Sequence, residues 1–235
     1  MIFSSIEFII FFLCFLLALK FLDKFQRNLI IIFSLLFYAF WNITFVLLIL
    51  YFCAATYIFI KKNNYFKTSI FLIVLPLIYF KYSIFLLDIL NLNQFDSFAY
   101  NGEIPLAISF ITFTAIAAII DTKNRIFDKN LINFYSISEF ILFFPQLIAG
   151  PILRLNELIP QLKNKCIFKK ENVKFGLILF SVGFVKKIFF ADNIGIFIDP
   201  IFENPETSSN DMIFKSLVLF PLQIYFDFSG YVDMH

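Results

Sequence analysis

The chain has 235 residues, of which 60% are hydrophobic and 15% charged, with a formal net charge of +2. Soluble domains run at roughly 45–50% apolar and about 25% charged residues, so the apolar excess has to face lipid and a soluble globular protein is excluded. A charge this close to balance, with no basic block interleaved with aromatics, excludes a nucleic-acid binder. Thirty-eight phenylalanines against 6 glycines accompany abundant Ile, Lys and Asn. They read as base composition, not as an aromatic cofactor stripe. Cys14, Cys53 and Cys166 lack metal-ligand spacing and read as small buried hydrophobes, so no metal site is expected.

A helix needs about 20 apolar residues, within a range of about 17–25, to cross the hydrocarbon core. The first apolar stretch, 6–22, has no basic flank before it and no small-residue cleavage site, so it reads as a retained span. Residues 29–60 are too long for one crossing, and Trp41-Asn42 divides them into spans 29–40 and 43–60. A further span covers 66–90, with Pro76 as a kink and Lys81 in its second half. Segment 104–120 follows, with Pro105 suited to its first turn. Later candidates are 131–149, 173–198 and 212–231.

Lys and Arg in short loops mark the cytoplasmic side. Lys20, Lys24 and Arg27 follow the first span, which places the N-terminus outside. Lys61, Lys62 and Lys67 then fall inside, the loop 91–103 has no basic residue, and Lys123, Arg125 and Lys129 return to the inside. The alternation fails at 131–149, which has basic residues on both flanks. Pro145, Gly150 and Pro151 stand where a helix would break. Non-helical backbone at membrane depth is tolerated where it is buried or lines a cavity, so a re-entrant element is expected, with a kinked span as the alternative.

Three stretches place polar groups where lipid penalises them, and such groups are functional candidates. The first is PQLIAGP-x-x-R, with Pro145, Gln146, Gly150, Pro151 and Arg154. The second is VKKIFFADN, with Lys186, Lys187 and Asp192. Either the helix breaks near Gly183 and its lysines reach an interface, or they face a polar cavity. The third is QIYFDFSGYVDM, with Gln223, Tyr225, Asp227, Ser229, Gly230, Tyr231 and Asp233. On a straight helix Asp227 and Asp233 lie on different faces. A break at Gly230 would let both line one cavity, whereas an interfacial placement would make Tyr225 and Tyr231 belt residues with the carboxylates in water.

Taken in order, PLAISFITF (105–113), FFPQLIAGPILR (143–154), FVKKIFFADNI (184–194) and LQIYFDFSGYVDM (222–234) resemble the membrane-bound O-acyltransferase (MBOAT) family. The resemblance is nearest to its bacterial branch of alginate O-acetylases and peptidoglycan O-acetyltransferases, and it covers essentially the whole chain. Ala107, Ile111 and Thr114 depart from the family pattern at packing positions. The resemblance implies an all-α, polytopic transmembrane bundle of about 7–8 membrane segments, one re-entrant, with residues 1–235 forming a single membrane domain. It implies a multi-pass protein of the bacterial inner membrane that moves an acyl group, typically acetyl. The donor would be a cytoplasmic thioester such as acetyl-CoA, with no cofactor held. The acceptor would be hydroxyls of an extracytoplasmic polysaccharide such as alginate or peptidoglycan, reached with a periplasmic or membrane-anchored acetyltransferase partner. The fifteen residues named in the three stretches become cavity-lining candidates.

The family pattern continues past YVDM into a Trp- and Arg-rich segment with a histidine, and then to a helix carrying the histidine usually assigned to catalysis. Acyl transfer to a hydroxyl needs a base in reach of the O–H, and His is the usual choice. The one histidine here, His235, matches neither, so an N-terminal part of the fold, inactive alone, is expected. Lys186, Lys187, Asp227 and Asp233 would then find partners in helices outside the chain. The alternative is a non-catalytic channel or accessory subunit that keeps the funnel. A small transporter is disfavoured, since transporters commonly carry paired internal repeats and none is seen.

Overall fold

The computed structural model describes residues 5–62, 66–90, 99–100, 102–128, 131–149, 153–164, 166 and 168–234, and all regular structure among them is helical. The chain divides into two compact units. The first takes residues 1–20, 148–151 and 167–235, and the second takes 21–147 and 152–166.

The second unit starts from helix α2 (Gln26–Trp41), which stops at Asn42. Asn42 turns extended, and its side-chain oxygen accepts from the Thr44 N–H at 3.0 Å, capping the entry to α3 (Val46–Lys62). This is the division the Trp41-Asn42 pair signals, and it follows from the aptitude of Asn for satisfying orphan donors. On α3 the buried residues Ile49, Phe52, Cys53, Thr56 and Ile60 repeat at helical spacing. That stripe packs against α4 (Phe66–Ile89), α5 (Ile108–Lys123) and α6 (Phe134–Leu142). Lipid tails are as apolar as leucine, so close packing has to supply the adhesion. Ala115 and Ala118 provide small contact positions on α5, where the Thr112 and Thr122 hydroxyls donate to carbonyls of their own helix, both at 2.7 Å. Helix α4 runs unbroken through Pro76.

Two sequence expectations need correction here. Pro105 lies outside the first turn of α5, in a turn whose carbonyl accepts from the Ile108 N–H at 3.3 Å. Ala107 stands at φ 56°, and this left-handed residue redirects the chain so that the helix starts after it. Of the three cysteines, Cys53 is buried but Cys14 and Cys166 are exposed. Cys14 sits on α1 (Ile6–Phe21), a helix with only three buried residues, so its apolar neighbours there do not cover it.

Segment 131–149 forms two short helices, α6 and α7 (Phe144–Ala149), separated at Phe143, whose ψ of 98° ends the helical run. Pro145 stands in the first turn of α7, where its missing N–H costs nothing. The Phe144 N–H freed by the break is held by the Ser34 hydroxyl at 3.2 Å. Nine residues of α6 rise about 14 Å, about half the hydrocarbon thickness. Helix α8 (Leu155–Lys163) closes this unit, and Gln26 of α2 donates to the Asn164 carbonyl at 3.0 Å.

In the first unit, α9 (Lys170–Val185) passes into a π-helical stretch, Lys186–Asp192, and then into α10 (Asn193–Glu203). Helix α11 (Asn210–Met234) packs along all three. The helix is therefore not broken near Gly183; it widens just beyond it. Nor does Gly230 interrupt α11, which runs through it. Among the described residues, three helical stretches, Ile43–Lys62, Phe66–Ile89 and Asn210–Met234, are long and apolar enough to cross a membrane.

Candidate functional site

In the first unit the second and third motif stretches lie against each other. Met234 packs at Gly183, Asp227 pairs with Lys187, and Gln223 packs at Gly195, so α11 runs antiparallel to α9 and α10. The crossing is a contact between backbones. A Cβ on Gly183 would lie 2.5 Å from the Gly230 carbonyl oxygen, and one on Gly230 would lie 2.9 Å from the Gly183 carbonyl oxygen. Small residues permit this approach, and it brings the side chains on either side of the crossing within ion-pair reach.

Three ion pairs and one lysine–serine hydrogen bond result. Lys186 Nζ donates to Asp233 Oδ2 at 2.5 Å and to the Ser229 hydroxyl at 2.8 Å. Lys187 Nζ reaches Asp227 Oδ1 at 2.6 Å and Asp192 Oδ1 at 2.8 Å. The Tyr231 ring lies 5.4 Å from the same ammonium. The π-helical stretch explains how Asp192 takes part. Its hydrogen bonds span five residues, so Lys187 and Asp192, five apart, come to one side. On an α-helix that spacing would turn them apart. Two ammonium groups thus face three carboxylates, and one negative charge is left over. An ammonium already ion-paired is a donor and not a general base, so the Ser229 hydroxyl next to Lys186 is oriented without being activated.

These contacts correct the expectation that Lys186, Lys187, Asp227 and Asp233 find partners outside the chain: they pair with one another. Lys186, Lys187, Asp192, Asp227, Ser229, Gly230, Tyr231 and Asp233 form one cluster. Gln223 packs farther along α11 over Gly195, and Tyr225 is 59% exposed. Gly150 and Pro151, and the terminal His235, lie outside the described residues. Among the described residues no group of three His, Cys, Asp or Glu is arranged to hold a metal.

The first motif belongs mostly to the second unit. Gln146 is buried on α7, and Pro145 is half-buried beside it. Arg154 Nη1 lies 3.4 Å from Asp121 Oδ1 at the end of α5. The Glu157 carboxylate accepts the Arg154 backbone N–H at 3.1 Å, which caps α8. Sequence reasoning passed over a stronger ion pair in this unit. Arg27 Nε donates to Glu139 Oε1 at 2.7 Å and Nη2 to Oε2 at 2.5 Å. Tyr135 stacks 4.8 Å from the guanidinium and hydrogen-bonds Asn28. The signal was available, since Glu139 is a carboxylate inside an apolar segment.

The Lys186–Asp233 pair gives a quantitative expectation. Lys186→Met and Asp233→Leu should each cost about 1–3 kcal/mol, since each removes the direct partner of a partly buried charge; a fully buried pair would cost more. The double variant should cost less than the two singles together by at least about 1 kcal/mol. Unfolding in mixed micelles measures this, and strictly additive losses would show that the pair is not coupled.

Residues 121–232 match the sequence model of the family described as MBOAT, membrane-bound O-acyltransferase family. The chain is 36% identical over 156 residues to a peptidoglycan O-acetyltransferase of Helicobacter pylori, covering 56% of this chain and 30% of that protein. It is 31% identical over 239 residues to a probable alginate O-acetylase AlgI of Pseudomonas fluorescens, covering 100% of this chain and 47% of that one. With a probable alginate O-acetylase AlgI of Pseudomonas putida it shares 37% over 133 residues, or 56% and 26% of the two chains. The chain spans at most about half the length of these curated relatives.

Proposed function

We propose, from the premise that the chain belongs to the membrane-bound O-acyltransferase family through residues 121–232, that it serves acyl transfer to a polysaccharide. In this reading an acetyl group passes from a cytoplasmic thioester such as acetyl-CoA to hydroxyls of an extracytoplasmic glycan. The hydroxyl oxygen bonds to the carbonyl carbon, the C–S bond breaks, and the hydroxyl proton leaves to a base as the thiolate departs. Relatives named for alginate and for peptidoglycan make these the two acceptor classes to test first. A periplasmic or membrane-anchored acetyltransferase would complete the transfer outside.

The observation that carries this reading is the cluster joining VKKIFFADN to QIYFDFSGYVDM, all but its Asp233 inside the family-matched residues 121–232. Charges with this many mutual contacts in an apolar helix pair fix its register, and residues beside them inherit that register. Their part is to position. We read residues 1–235 as one membrane domain of the bacterial inner membrane, with about 7–8 membrane segments and a re-entrant element at 131–149. The break at Phe143 and the shortness of α6 support the re-entrant element.

Deleting the reading frame from its own cell tests the function. Base-labile acetate on purified envelope polysaccharides should fall on one of them and return with a plasmid copy. Unchanged ester acetate on every polysaccharide recovered would reject the proposal.

A further inference from the structure

One side of α2 meets two irregular points of the second unit's backbone. Ser34 and Tyr38 are 0% and 1% exposed there, and side chains four residues apart share a helix face. From Leu29 to Phe40 every other side chain is apolar. The Ser34 hydroxyl accepts the Phe144 N–H at 3.2 Å, beside the break at Phe143. The Tyr38 hydroxyl donates to the Leu106 carbonyl at 3.1 Å, beside the left-handed Ala107. Phe37, between them in sequence, sets its ring 5.6 Å from that of Phe144. The two hydroxyls thus go to backbone groups of FFPQLIAGPILR and of PLAISFITF, each at the point where its helix is interrupted or begins.

We propose that Ser34 and Tyr38 are positioning residues for acyl transfer, which fix the PQLIAGP element against the start of α5; this rests on the acyl-transfer reading above. Within a regular helix the backbone groups bond one another and ask nothing of a neighbour. Where a helix starts or breaks, the freed N–H and C=O groups need partners from elsewhere, and lipid offers none. Helix α2 supplies an acceptor at one such point and a donor at the other, from adjacent turns of one rigid element. The break before Pro145 and the turn before α5 are therefore held at a set distance. Pro145 and Gln146 follow Phe144 directly and take their place from it. Apolar side chains at 34 and 38 would bury these positions equally well, but they would fix neither direction nor distance. A displacement of about 1 Å, even from a change remote from the chemistry, can cost about a hundredfold in rate.

The test compares chromosomal Ser34→Ala and Tyr38→Phe, each the loss of one oxygen, with wild type, Ser34→Thr, Ile73→Ala and the deletion strain in the protein's own cell. Two quantities are read: this protein in the membrane fraction, and base-labile acetate on purified envelope polysaccharides. Acetate per unit of membrane-resident protein should fall at least about tenfold in Ser34→Ala and Tyr38→Phe. Ser34→Thr keeps the oxygen and should restore that ratio. Ile73, 0% exposed on α4, has a packing role alone. Ile73→Ala should therefore lower protein and acetate together and leave the ratio unchanged, which is the signature of a merely structural residue. Wild-type ratios in both Ser34→Ala and Tyr38→Phe would overturn this proposal and leave the acyl-transfer reading standing. Unchanged acetate in the deletion strain would reject that reading, and this proposal with it.

Discussion

Arg27→Ala is expected to lower the unfolding free energy of the second unit by about 3–5 kcal/mol, the usual cost of stranding one buried partner of an ion pair. The Glu139 side chain is 2% exposed and receives both arms of the guanidinium, while the Arg27 side chain is 33% exposed. Removing the arginine therefore leaves a buried carboxylate with its strongest donors gone. The Tyr135 stack and the Ser136 contact at 3.4 Å disappear with it. Glu139→Gln should cost less, about 1–2 kcal/mol, because no charge remains buried. Arg27→Lys should fall between them, since an ammonium cannot reproduce the two-armed fork. Cys53 supplies the readout, being 0% exposed on α3. In a Cys14→Ser/Cys166→Ser background, alkylation of Cys53 reports opening of this unit alone. A loss of 3–5 kcal/mol raises the alkylation rate more than about a hundredfold. An unchanged rate would show that Glu139 is not held by Arg27.

The difference between Arg27–Glu139 and the Trp41-Asn42 boundary shows what a linear reading can reach. Asn42 acts on Thr44, two residues away, so the division of 29–60 was legible from residue type alone. The break before Pro145 was legible for the same reason. Arg27 and Glu139 are separated by 112 positions, and hydropathy registers each as a cost without naming the other. Lys186 and Asp233 posed the same problem over 47 positions. Both charges stand out as costly in a membrane helix, yet residue type alone does not say that each is the other's partner. What decided the matter was the close approach of Gly183 to Gly230, which only the packed helices reveal. The π-helical stretch was not legible either, because no residue type marks it. Pro105 was misplaced because a left-handed alanine cannot be anticipated where glycine is the usual occupant.

Two glycines on the same helix should respond to alanine with opposite signs. Gly176 on α9 has nothing within 4 Å of an added Cβ. Gly176→Ala should therefore stabilise the first unit by about 0.5–1 kcal/mol, by relieving the entropic cost of glycine in a helix. Gly183, seven residues on, meets the Gly230 carbonyl oxygen at 2.5 Å and the Met234 backbone nitrogen at 2.9 Å. These are backbone atoms of α11, and no side-chain rotation can move them aside. Gly183→Ala should cost about 1–3 kcal/mol, and Gly183→Val more, since the helices must separate or bend. Separation acts directly on the cluster. Lys186–Asp233 at 2.5 Å and Lys187–Asp227 at 2.6 Å both bridge this crossing, so the variant loses packing and charge contacts together. Ser216, 0% exposed on α11, gives the reporter. With the three native cysteines replaced, Ser216→Cys exposes its thiol only when this unit opens. Slower labelling in Gly176→Ala and faster labelling in Gly183→Ala is the expected pair of results. Equal tolerance at both positions would mean that α9 and α11 do not meet backbone to backbone, and the geometry that joins the two motifs would fall with that contact.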